Sequence, residues 1–135
     1  MRTAYQKITI IRHCRPVHSS INEELQWLGS SLGLFNLRDK DKSMFRVFVE
    51  LLKCSKKQEL LSSDDIAAKL RLSRGTVIHH INKLRDSGIV ISERNRYSLR
   101  VNNLEILVDE IKKDIERMCT DLKDVAKDVD DWLGL

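Results

Sequence analysis

The stretch from Leu60 to Val101 most constrains the fold, because its hydrophobic period changes twice over a short distance. "LLSSDDIAAKL" opens with serines and acids suited to a helix amino terminus, and "RLS" interrupts that helix before a second begins at Arg74 with Ser73 as its N-cap. Gly88 stops the second helix, and "IVIS" and "RYSLRV" then alternate as strands around the turn "ERN", where Asn95 tolerates the positive φ that such turns need. Two short helices with a three-residue joint, followed at once by a hairpin, describe a winged helix-turn-helix. Ile66, Leu70 and Leu72 are expected to meet Val77, Ile81 and Leu84, with Ala67 and Ala68 allowing close approach.

A different period governs the carboxy-terminal part. Leu104, Val108, Ile111, Ile115, Met118, Leu122, Val125, Val129 and Trp132 are separated alternately by 4 and 3 residues, an uninterrupted heptad seam. Such a seam averages about 3.5 residues per repeat and winds helices around one another. The reading favoured here is a long coiled-coil helix that pairs two subunits through these nine residues. A single amphipathic helix lying on its own domain is the alternative.

Upstream, Ser20 followed three residues later by Glu23 fits a capping box, and Ile21, Leu25, Leu28 and Leu32 recur at helical spacing until Gly33. After the charged linker "RDKDK", Phe45, Phe48, Val49 and Leu52 fall at i, i+3, i+4 and i+7, with Val47 and Leu51 widening the apolar face. This second helix is expected at the centre of the core. The first twenty residues hold no acid but carry Arg2, Lys7, Arg12 and Arg15. Within them "KITII" has the β-branched character of a short strand, which either adds to a sheet or remains a basic arm that orders on phosphate. Pro16 ends it either way. The organisation expected is therefore a basic arm or strand over residues 1–20, a winged domain over 21–101 and a dimerisation helix over 102–135. In class it is mainly α with a small β-hairpin.

Charge is distributed along the same divisions. Residues 1–61 hold 11 Lys and Arg against 6 Asp and Glu, residues 62–101 hold 8 against 4, and residues 102–135 hold 5 against 10. A basic body with an acidic tail implies an anionic partner for the body and another task for the tail. No apolar run approaches the roughly 20 residues that span a bilayer, so the expectation is a cytoplasmic protein with no membrane partner. Cys14, Cys54 and Cys119 lie far apart and form no C-x-x-C pair, and reduced thiols are expected.

"SSDDIAAKLRLSRGTVIHHINKLRDSGIV" resembles the winged helix-turn-helix transcription regulators of bacteria and archaea, particularly the arsenical-resistance and multiple-antibiotic-resistance repressor groups. The resemblance covers about residues 43–101. It implies that the helix over 74–87 is a recognition helix, that Glu93 to Arg96 is the tip of a wing over 89–101, and that a terminal helix such as that from Leu104 pairs two subunits. It also puts Arg71 where many such joints carry glycine.

Helical geometry agrees with that implication. With Val77, Ile81 and Leu84 as the buried centre and about 100° per residue, Gly75, His79, Asn82 and Lys83 fall on the far side and Thr76 near its edge. Arg74 starts the helix. Arg or Lys pairs with guanine O6 and N7, Asn with adenine, and Thr76 or Ile78 meets a thymine methyl. At the hairpin tip Arg94 and Arg96 are placed to enter a minor groove or bind the backbone, with Arg100 following. Adjacent helical residues point about 100° apart, so His79 and His80 are not expected to act as one pair: His79 faces the groove, and His80 lies on the flank, where it packs or hydrogen-bonds.

Other chemistries are weaker. His13, Cys14 and His18 in "HCRPVH" match no standard metal spacing, and no cofactor, phosphate-loop, zinc-protease or nucleophile-elbow motif is present. No enzyme, metal or cofactor is expected, and any small-molecule or metal effector is unspecified. Two functional classes remain: a homodimeric regulator of double-stranded DNA, and a winged-helix protein–protein interaction module of a transcription complex.

Overall fold

The computed structural model describes residues 5–17, 20–35 and 42–135. Helix α1 (Ile21–Ser31) begins at Ser20, whose side chain accepts the Glu23 amide as expected. It ends at Gly33, which has a positive φ. The linker "RDKDK" lies largely outside the described residues.

Helix α2 (Ser43–Lys56) occupies the centre of the core, but with its face rotated from the expected one. Met44, Val47, Phe48 and Leu51 are its deepest residues, each nearly inaccessible, whereas Phe45, Val49 and Leu52 are half-buried at the margin. The spacing i, i+3, i+4, i+7 fits both sets. Met44 heads the observed one because α2 is packed against α4, β3 and α3 together.

The chain then forms β1 (Leu61–Ser62), a two-residue strand, before α3 (Ser63–Leu70). Ser62 caps α3 through a complete capping box: its Oγ accepts the Asp65 amide at 3.0 Å and its amide donates to Asp65 Oδ2 at 3.2 Å. Ile66 is fully buried and Ala67, Leu70 and Leu72 pack on the core, while Ala68 turns to solvent. Of the two alanines, only Ala67 therefore packs into the core. Arg71 at the end of α3 adopts φ 57°, ψ 45°, the left-handed conformation that the joint requires. Helix α4 (Arg74–Asp86) follows, with Ser73 accepting the Thr76 amide. Gly88, at φ +83°, terminates it in a left-handed cap: its amide donates to Arg85 O and that of Ile89 to Leu84 O.

Strands β2 (Val90–Glu93) and β3 (Arg96–Leu99) form the wing, with Glu93 opposite Arg96. Only Arg94 and Asn95 connect them, both at positive φ, as a two-residue type I′ hairpin needs. Strand β1 pairs with β3 antiparallel, so the sheet has three strands in the order β1-β3-β2 and not the two of a bare hairpin. A two-residue strand has no period to read, which is why the sequence shows only a helix start there.

Helix α5 (Leu104–Leu133) is continuous, capped by Asn103 and closed at Gly134. Leu107 and Ile111 enter the core, and Leu104 and Ile115 pack against it. Residues 119–135 are all exposed. "KITII" joins no sheet. Its segment is an extended arm held by two backbone bonds, from the Lys7 amide to Asp86 O and from the Ile11 amide to Ser31 O. Among the described residues no helix is long and apolar enough to cross a membrane.

Candidate nucleic-acid interface

Helix α4 divides as its sequence predicts. Val77, Ile81 and Leu84 are at most 1% exposed and lock the helix across α3 and α2, and the opposite face is free. Arg74, Gly75, His79, Asn82 and Lys83 are exposed on it, with Thr76 and Ile78 half-buried at its edges. Nothing lies within 4 Å of where a Cβ on Gly75 would stand, so backbone and helix start are open to an approaching surface. Arg74 reaches Asp64 at 3.4 Å, with both side chains more than two-thirds exposed. An ion pair of that kind is worth about 0–1 kcal/mol and yields readily to a phosphate or a base. The Thr76 hydroxyl accepts from Ser73 at 2.8 Å, which ties it to the cap of its own helix.

The wing presents two more cations. Arg94 and Arg96 are exposed at its tip, as expected. Arg94 holds φ 53°, a region that costs a non-glycine residue roughly 1 kcal/mol, so the hairpin keeps a cation where Asn or Gly would be more comfortable.

Arg100 does not follow them. It turns inward and grips Asp114 of α5 through two bonds, Nη1 to Oδ2 at 2.5 Å and Nη2 to Oδ1 at 3.2 Å. Its side chain is three-quarters buried, so it belongs to the scaffold and not to the interface. Asp114 is the residue that sequence reasoning missed. It also accepts from Arg117 and, at 2.9 Å, from Gln6 Nε2, which donates in addition to Ser87 O at the end of α4 at 3.2 Å. One buried carboxylate thus ties the wing exit, α5 and the arm, and through Gln6 the end of α4. These partners lie up to 108 residues away in sequence, beyond any local signal. Burial alone would raise the pKa of this carboxyl, but hydrogen bonds from Arg100 and Gln6 and the charges of Arg100 and Arg117 outweigh it and hold it below the usual aspartate value.

The two histidines separate as expected. His79 is exposed on the outer face, whereas His80 is half-buried and its Nε2 lies 2.6 Å from Ser43 Oγ at the start of α2. Their rings are tilted 56° with centroids 5.6 Å apart. His13 and Cys14 lie on the exposed arm, and His18 is outside the described residues. Cys54 is buried, its thiol pushed up by burial and by neighbouring Glu50. Among the described residues no cluster of three His, Cys, Asp or Glu side chains is arranged to hold a metal.

The heptad seam splits into two. Ile111 is buried in the core, Leu104, Ile115 and Met118 are half-buried, and Val108 is exposed. Leu122, Val125, Val129 and Trp132 are between 48% and 85% exposed, an apolar stripe that no other described residue covers.

A helix pair with a short joint, a free second-helix face and a hairpin wing with a basic two-residue turn defines a winged helix-turn-helix domain. Residues 49–92 match the family model described as bacterial regulatory protein, arsR family, which spans α3, the joint, α4 and most of β2 and reaches back into α2. The matched domain supports a DNA-binding transcriptional regulator. No curated protein matches the chain.

Proposed function

We propose that the protein is a homodimeric transcription regulator that binds double-stranded DNA sequence-specifically. Helix α4 enters the major groove, with Arg74, Gly75, Thr76, Ile78, His79, Asn82 and Lys83 facing bases and flanking phosphates. Arg94 and Arg96 on the wing reach the adjacent minor groove or the backbone. The exposed stripe of α5, from Leu122 to Trp132, pairs two subunits, so that two half-sites one helical turn or a multiple apart are read together.

The observation that carries this reading is the division of α4. A helix whose inner residues are wholly buried and whose outer face holds Arg74, His79, Asn82 and Lys83 in solvent has the two properties groove binding needs: rigid placement and donor chemistry. The Arg74→Ala and Lys83→Ala proteins are expected to lose roughly 1–3 kcal/mol of DNA affinity each, by fluorescence anisotropy on duplex DNA, with an unchanged melting temperature. Unchanged binding by both would remove α4 from the interface. A flat salt dependence of the wild-type protein would point instead to a protein-binding winged module, because phosphate contacts weaken steeply as salt rises.

A further inference from the structure

The arm is fastened to the domain with more care than a loose basic tail needs. Over its first described residues the arm alternates: Gln6 bonds to Ser87 O and Asp114, and Ile8 packs on the core, before Ile10 turns to solvent. Tyr5, Lys7 and Thr9 line one open cleft with His79, Asn82 and Lys83 of α4. That alternation is what an extended chain produces.

Two glycines lie under the docked arm, Gly33 against the short Thr9 side chain and Gly88 against the tip of Gln6. A Cβ on Gly88 would stand 2.3 Å from Gln6 Nε2, and one on Gly33 would stand 2.7 Å from the Thr9 methyl. The Lys7 amide donates to Asp86 O at 2.9 Å, which fixes the backbone of Lys7 against the last turn of α4.

We infer that Lys7 is a DNA-contacting residue: the docked arm puts it on the wall of the cleft that His79 and Lys83 also line, to hold a phosphate of the duplex strand that borders the groove. The inference rests on the reading of α4 as a recognition helix and extends it to a part of the chain outside the winged domain. The cleft, about 430 Å³ and open on one side, is wide enough for a phosphodiester. Among the described residues it is lined by the cations Lys7 and Lys83 and the one acid Asp86. Tyr5, 59% exposed, lines the same cleft and adds a hydroxyl donor to its wall. The amino-terminal half of α4, from Arg74 to Ile78, is not among the cleft-lining residues and remains the part that enters the groove.

The test is the salt dependence of binding to a random-sequence duplex, where phosphate contacts supply nearly all the affinity. Lys7→Ala is expected to weaken binding several-fold at low salt and to reduce the slope of log K against log[salt] by about 1, with Lys7→Arg restoring both. Lys127→Ala, on the exposed end of α5, is expected to change neither. The backbone bond of residue 7 survives the alanine substitution, and an unchanged melting temperature confirms the fold. If Lys7→Ala keeps the wild-type slope and affinity while Arg74→Ala loses affinity, the arm is only scaffold and the recognition-helix reading stands. If the wild-type protein itself shows no salt-dependent DNA binding, both fall together.

Discussion

Asp114 carries a charge where a lone charge would be costly, 4% exposed beneath the wing exit, and it stays ionised because Arg100, Arg117 and Gln6 all donate to it. Its folded pKa lies below the unfolded value of about 3.9, so its contribution to stability is fully present above that value and is lost as pH falls through the folded one. Asp114→Asn is expected to destabilise the protein by about 2–3 kcal/mol at pH 7, somewhat below the cost of breaking a fully buried pair because Arg100 keeps some access to water. Denaturant melts of both proteins at pH 7 and pH 3 check this: the gap should narrow at the lower pH, and a gap that is constant across the range would show that charge is not what Asp114 contributes. Arg71, by contrast, was legible. The joint between two helices requires a left-handed residue, and its departure from glycine could be noticed without any coordinates.

At the scale of elements, α3, the joint, α4 and the hairpin could be read from sequence because each carries its own punctuation: Ser62, Ser73, Gly88 and Asn95. What could not be read depended on partners far along the chain. The pairing of β1 with β3, the docking of the arm on α4 and the inward turn of Arg100 all join segments with no common period. The heptad seam shows the limit most clearly. Its spacing is uniform from Leu104 to Trp132, yet Ile111 is spent on the subunit's own core while Leu122, Val125 and Val129 are not. Charged substitutions should therefore differ by position. Leu122→Glu together with Val129→Glu is expected to give folded monomers in sedimentation equilibrium, whereas Ile115→Glu should lower the melting temperature because Ile115 packs against the core. A persistent dimer in the double variant would show that subunits meet elsewhere.

The whole molecule has a polarity that follows its charge. The arm, α4 and the wing carry cations on exposed positions, and the protruding end of α5 carries an apolar stripe among Asp121, Asp124, Asp128, Asp130 and Asp131. In the proposed complex, repulsion between these acids and the DNA would keep that end away from the duplex and available to a second subunit. Sequence specificity is the central claim, and the most direct measurement of it is sequencing of genomic fragments retained by the purified protein at two salt concentrations. Raising the salt is expected to strip away most fragments and leave a set sharing a motif of two half-sites about one helical turn, or a multiple, apart. Retention without any enriched motif, or retention indifferent to salt, would contradict it.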